Sequence, residues 1–400
     1  MISVEQAQSK ILDRISVSGS QMCKVLEAVG GYAADDQRAV LNLPSFDNSS
    51  VDGYALRAGD VASASRRAPR RLLKVGEVAA GSVFESEVER EQCVRIFTGS
   101  PLPRGVNAVV MQEDTLESEE QQGWVDIFDG VKPWENVRLT GEDVSEGSLI
   151  LERGERIGVG QATLLAAQGI ETVLVSKRPR VALLSTGSEL VKPGKALKPG
   201  QIYESNSVLL QALLAAEGVV LEKIDCVLDS IDDLQGKLAS ITHEFDFLVT
   251  TGGVSVGDYD FVRSAIGKIG GDIDFWRVAL KPGKPFAFGR VHDCFWFGLP
   301  GNPVSSFVTG YLFLLPALRA SQGAKKPLPR LASARMATGV VNKGERRQYM
   351  RARLDEDGFV TPAGLQASHG MNALRLASAL IRLEPGQTVV KDEFVPCHLI

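Results

Sequence analysis

Four glycine-bearing segments in the second half of the chain hold side chains able to do chemistry. They are TGSEL (186–190), TGGVSVGD (251–258), KPGKP (281–285) and LPGNP (299–303). Each follows a short apolar run that reads as a strand: LLS, LVT, VAL and FWFG. Ligands of open α/β sheets sit outside the carboxyl ends of the strands. Four polar loops at four strand ends predict one shared cleft, with ordinary turns as the plainer alternative.

The loop contents point to a ligand class. Gly252 and Gly253 stand together where one glycine makes a turn, so something lies close against the backbone. The amides that follow them, with Ser255, can cradle a phosphate. Lys281 and Lys284 flank a glycine, so both ammoniums can meet an oxyanion, or both can be solvated. In LPGNP, Pro300 leads into Asn302 and Pro303, an N-cap and first-turn pair whose free amides favour an anion. Glu189, Asp229, Asp258 and Asp260 crowd the same edge, with helix capping as the alternative for Asp258. Carboxylates beside lysines suit a phosphorylated substrate held through a hard divalent cation, Mg2+ before Zn2+. None of the four Gly-Lys pairs precedes Ser or Thr, and no GxGxxG follows a strand. Both facts argue against a P-loop nucleotidase or a dinucleotide enzyme.

From residue 178 onward the elements that must position these loops alternate. PRVALLS, VVLEKIDCVL, DFLVTTGG, DIDFWRVAL, PFAFG and CFWFGLPG read as strands. SNSVLLQALLAAEG, DDLQGKLASITHE, DFVRSAIGKIG and the run from Pro303 read as helices. That rhythm predicts a parallel sheet covered by helices on both faces. Residues 4–40 carry helical spacing through Val4, Ile11, Ile15 and CKVLEAV. RLLKVGEV, EQCVRIF, NAVVMQED and GWVDIF mark a β-rich insert, and LASARMATGVV, RRQYMRARL, GFVTPAG and QTVVKD mark a C-terminal β-domain. The expected organisation is a multidomain α/β protein. It has a discontinuous N-terminal domain (1–43 plus 141–177), the insert (44–140), a central α/β domain (178–324) and the C-terminal domain (325–400).

Polar positions outside the α/β region form a second set. Asp47, Asn48, Ser49, Ser50 and Asp52 in FDNSSVDGYAL are too polar for a core and are either a bare loop or part of a site. RIFTGSPLP and TGEDV are similar loops. On RRQYMRARL, Arg347, Tyr349, Arg351 and Arg353 share one strand face, either solvated or turned to an anion. The four histidines sit apart without metal spacing, and His369 lies in the polar loop QASHGMNAL.

Composition bounds the rest. Four hundred residues, 44% of them hydrophobic, can bury more than one core. The net charge of −5 argues against general nucleic-acid binding. Five scattered cysteines form no CxxC pair, as expected of reduced thiols in a cytoplasmic protein. The N-terminus lacks the apolar core of a secretory signal, and VSSFVTGYLFLLPAL is short and interrupted for a membrane span.

In order along the chain, PSFDNSSVDGYA, RIFTGSPLP, STGSEL, IYESNS, TTGGVSVGDYDF, KPGKPFAFG and LPGNPVSS resemble the molybdopterin molybdenumtransferase family, MoeA and the C-terminal domain of gephyrin. The resemblance implies an elongated homodimer that binds adenylylated molybdopterin and molybdate, inserts the metal with Mg2+ and releases AMP. A molybdopterin adenylyltransferase is the implied upstream partner, with neither nucleic acid nor membrane involved. It implies Asp52, Thr98 and Asp143 on the insert side of a cleft shared between subunits. Glu189, Asp229, Asp260, Lys281 and Lys284 would line the α/β side, with Glu189 and Asp260 as metal candidates. Arg347 or Arg351, with Ser368, would come from the C-terminal domain, which turns the arginine row toward an anion. Gly252, Gly253 and Ser255 would then lie against the pterin–phosphate ligand, beside Pro300 and Asn302.

Overall fold

The structure, a computed structural model, describes residues 1–119, 121–227, 231–253 and 261–400, with the backbone alone at 223–227 and 231–233. The chain forms two compact units. One comprises Met1–Asp35, Glu152–Thr163 and Ile170–Ile400; the other comprises Asp36–Leu151 and Leu164–Gly169.

The first unit opens with helix α1 (Val4–Arg14), capped reciprocally by Ser3 and Gln6. Its central sheet is built from β1 (Val181–Thr186), β2 (Leu221–Val227), β3 (Phe247–Thr251), β4 (Asp272–Trp276), β5 (Ala287–Val291) and β6 (Cys294–Leu299). The helices between and after them are α2 (Asn206–Ala215), α3 (Ile231–Glu244), α4 (Phe261–Lys268) and α5 (Pro303–Ser321). Strand order is β2-β1-β3-β6-β5-β4. Side chains alternate across the sheet. Val181, Leu183, Phe247, Val249 and Phe297 pack with α1, α2 and α5, whereas Ala182, Leu184, Leu248 and Trp296 pack with α3 and α4. Phe286 stacks on Phe313 of α5 with ring centroids 4.6 Å apart.

Three expectations change here. The sheet is mixed: β2, β1, β3 and β6 run parallel, but β5 is antiparallel to β6 and to β4. Only His292 and Asp293 join β5 to β6, and two residues permit a hairpin but not a parallel crossover. The run DIDFWRVAL is not one strand. It leaves the sheet after Trp276, and Leu280–Lys281 instead pairs with Arg347–Gln348. The helical spacing of 4–40 yields only α1 and the single turn Val25–Ala28, because Ser20–Lys24 is drawn into a strand against Thr172–Ser176.

Helix α5 is long and apolar enough to cross a membrane by length and composition, but Leu312, Phe313, Leu314 and Leu318 are buried in the sheet core. Its middle, Gly310–Leu314, widens into a π turn just before Pro316, which has no amide to donate.

Beyond α5, β7 (Ala332–Met336), β8 (Arg347–Leu354), β9 (Phe359–Pro362), β10 (Ala379–Leu383) and β11 (Phe394–Leu399) follow the order β8-β9-β7-β11-β10. β10 pairs back onto β8 and closes a barrel around Met336, Met350, Val360, Ile381 and Val395. The second unit holds a six-stranded sheet in the order Ala108–Met111, Gly53–Leu56, Gln92–Ile96, Arg70–Val78, Trp124–Ile127, Thr115–Glu117.

Under α5 lies a buried ion pair. Arg319 donates to Glu217, which is 6% exposed, and Arg156 stands 3.6 Å from the same carboxylate. Breaking such a pair leaves a buried charge uncompensated. Glu217→Ala is expected to cost about 3–5 kcal/mol, whereas replacing the pair with Glu217→Leu and Arg319→Met should recover most of it. Chemical denaturation of the two variants checks this.

Candidate active site

The carboxyl ends of β1, β3 and β6 lie side by side, and β5 begins at the same edge, where Ala287 pairs with Gly298. The turns after Thr186, Thr251 and Leu299 and the connection 277–286 therefore emerge together. Asp229, Ser255, Asp258 and Asp260 lie outside the described residues.

Gly252 and Gly253 adopt φ of +84° and +63°. A Cβ on Gly252 would stand 2.5 Å from the Thr186 carbonyl oxygen, and one on Gly253 would stand 2.5 Å from Cγ2 of Val262. The neighbouring strand end and α4 thus press on this glycine pair.

Beneath the turns runs a floor of buried polar groups. Thr251 Oγ1 donates to Ser185 Oγ at 3.1 Å, and Ser185 donates on to Glu204 at 3.3 Å. Glu204 also accepts from the Ser207 amide at 3.0 Å and from the Ser207 hydroxyl. Sequence reasoning gave Glu204 no role. The available signal was an acid three residues ahead of Ser207 where a helix begins.

Glu189 is exposed at the β1 end, with its carboxylate folded over Gly187 and its carbonyl taking the Ile202 amide at 2.9 Å. Lys281 is exposed and Lys284 half-buried, and neither has a carboxylate partner among the described residues. Gly283 between them packs on Thr309 of α5, where a Cβ would come within 2.7 Å of Thr309 Cγ2. Asn302 occupies the N-cap position of α5, but its side chain makes no capping bond. The Val304 amide, expected to be free for an anion, donates to the Ser368 carbonyl at 3.3 Å. Pro300 is buried and its carbonyl takes the Ser306 hydroxyl.

The arginine row divides three ways. Arg347 is held by Glu5 and Glu384, Arg353 is exposed, and Arg351 is buried. The Arg351 guanidinium donates to the carbonyls of Leu365 and Ala367 at 2.6 and 2.9 Å, and burial pushes its pKa down. These two bonds hold the loop that carries Ser368 and His369. Strand alternation cannot reveal this, because β8 is buried on both faces from Tyr349 to Ala352.

In the second unit, two acids each grip a threonine. Asp52 accepts from the Thr98 amide and hydroxyl, both at 2.8 Å, and Asp47 accepts from the Thr140 amide and hydroxyl, both at 2.7 Å. Asp143 is exposed, with its amide donated to Leu43 at 3.0 Å. Arg95, which sequence reasoning passed over, lies 5.2 Å from the Tyr54 ring centroid and 4.9 Å from that of Phe97, and donates to the Gly53 carbonyl at 3.1 Å.

The amide and hydroxyl of Thr98 hold the Asp52 carboxyl below its ordinary 3.8, and Arg95 adds to the effect. A depressed carboxylate pKa contributes stability above the ordinary value and loses it as pH falls through the lowered one. An NMR titration should find Asp52 below 3.8. Thr98→Val, which removes one of the two bonds, should move it back upward.

Three family models cover most of the chain: MoeA N-terminal region (domain I and II) over 2–169, probable molybdopterin binding domain over 182–320, and MoeA C-terminal region (domain IV) over 333–397. The molybdopterin molybdenumtransferase of Haemophilus influenzae is 35% identical, with 98% of this chain and 99% of that protein covered. That of Bacillus subtilis is 33% identical, covering 97% and 91%. Among solved structures, a molybdopterin biosynthesis MoeA protein from Pyrococcus horikoshii OT3 superposes over the full length of both chains with a TM-score of 0.87 at 28% identity. A second, from the same species, gives 0.79 at 30% identity, covering 100% of this chain and 99% of that one. The chain belongs to the molybdopterin molybdenumtransferase family.

Proposed function

We propose that this chain inserts molybdate into adenylylated molybdopterin, with Mg2+ bound and AMP as the leaving group. The class of enzyme follows from family membership; the adenylylated substrate and the cation are our reading. The observation that carries it is the pair of lysines, Lys281 and Lys284, without carboxylate partners among the described residues, at an edge of exposed turns.

Molybdate and a phosphoanhydride repel each other. Two unit charges 5 Å apart cost about 3 kcal/mol at an effective dielectric of about 20. The ammoniums of Lys281 and Lys284 offset that repulsion, and one of them stabilises charge on the departing phosphate. Glu189 suits Mg2+, which keeps most of its water and needs one or two carboxylates plus substrate phosphates. When bound, the cation neutralises phosphate charge.

We further propose a cytoplasmic homodimer, with Asp52, Thr98 and Asp143 of one subunit facing the carboxyl edge of the other. A molybdopterin adenylyltransferase supplies the substrate.

The test is AMP release from adenylylated molybdopterin on adding molybdate and Mg2+. Binding without molybdate-dependent release would leave a carrier or scaffold in place of an enzyme. Lys281→Ala and Lys284→Ala should each lower turnover at least tenfold while the thermal transition stays put. Unchanged turnover in both would remove them from the mechanism.

A further inference from the structure

Asn206, the first residue of α2, meets the turn that follows β6. It is 8% exposed. Its Nδ2 donates to the Gly301 carbonyl at 2.8 Å, in the turn that follows β6. That contact fixes which way the amide points, because the flipped amide would set two acceptors against each other. Oδ1 is therefore the outstanding atom. It is buried and has no hydrogen-bond donor among the described residues. Leaving a buried acceptor unmet costs about 1–3 kcal/mol. The neighbouring buried hydroxyls of Ser185, Thr186 and Thr251 all have partners, in contrast to Asn206 Oδ1. Gly301 and Asn302 beside it are exposed, which gives a ligand its approach.

The chemistry of this corner selects the ligand group. Asn206 Oδ1 and the Glu204 carboxylate are both acceptors, so the corner repels phosphate and favours an N–H donor. Lys281 and Lys284 lie on the connection into β5. In the sheet order, β1 and β5 are three strand spacings apart, about 14 Å. The edge is polarised, with acceptors at one end and cations toward the other. A ligand with a donor-rich ring and an anionic tail fits it in one direction.

We propose that Asn206 is a substrate-binding residue whose Oδ1 accepts a hydrogen bond from a ring N–H or amino group of the pterin. The pterin end then lies at the β1–α2 corner and the phosphate end runs toward the two lysines. This rests on the transferase reading given above.

The test uses the full chain, with adenylylated molybdopterin and AMP as probes, in unmodified, Asn206→Leu and Asn206→Asp forms. Pterin fluorescence reports binding, and a thermal transition within a few degrees of the unmodified protein certifies the fold. Leu removes the acceptor and should weaken pterin binding about 10- to 100-fold. AMP affinity should stay unchanged. Asp keeps an acceptor in the same place and, although it also loses the Gly301 bond, should bind at least fivefold tighter than Leu. Equal pterin affinity in the unmodified and Leu forms would overturn the proposal, as would an Asp form no better than Leu. In either case binding by the unmodified protein leaves the transferase reading standing. Failure of the unmodified protein to bind the adenylylated pterin would sink that reading itself.

Discussion

The ends of β1 and β3 approach so closely that a Cβ on Gly252 would fall 2.5 Å from the Thr186 carbonyl oxygen. Much of the candidate site depends on that contact. It requires glycine at 252, and the positive φ of both Gly252 and Gly253 lets the chain leave the sheet at a sharp angle. The same approach sets the Thr251 and Ser185 hydroxyls within hydrogen-bond reach and so connects β3 to Glu204 and the start of α2. A side chain at 252 would pry the strands apart and disconnect the polar floor from the turns above it.

That floor explains how loops as exposed as those of Glu189, Lys281 and Asn302 can still be held in register. Hydroxyls and a carboxylate buried under the strand ends pin the backbone from below, where solvent does not compete. The barrel contributes from the side. Arg351 gathers the 365–367 carbonyls, and Ser368 clasps the first turn of α5. Rigid elements thus present exposed functional groups, the arrangement that keeps a site both preorganised and accessible.

β1, β3 and β6 were legible in the sequence because each is a short apolar run that leads into a glycine-bearing turn, and the loops they carry were legible for the same reason. The antiparallel β4 and β5 look no different as runs; only the two-residue link between β5 and β6 betrays their direction. Ser20–Lys24 was read as helix because its partner, Thr172–Ser176, lies some 150 residues away and leaves no local trace. The burial of Arg351 was not legible, since it depends on carbonyls from another loop, which no spacing rule encodes. Glu204 and Asn206 were visible in IYESNS, but their importance rests on Ser185, Thr251 and Gly301, contributed by other segments.

The π turn at Gly310–Leu314 bears on how this chain tolerates insertions and deletions. A residue in a regular helix advances the side-chain direction by about 100°. The widened turn resets the phase between the two halves of α5. Thr309 thereby packs on the Gly283 loop while Arg319 meets Glu217. Removing one residue here would heal the helix yet swing Arg319 away from its carboxylate. Related chains should therefore vary in which apolar residues fill this stretch, while its length stays constant.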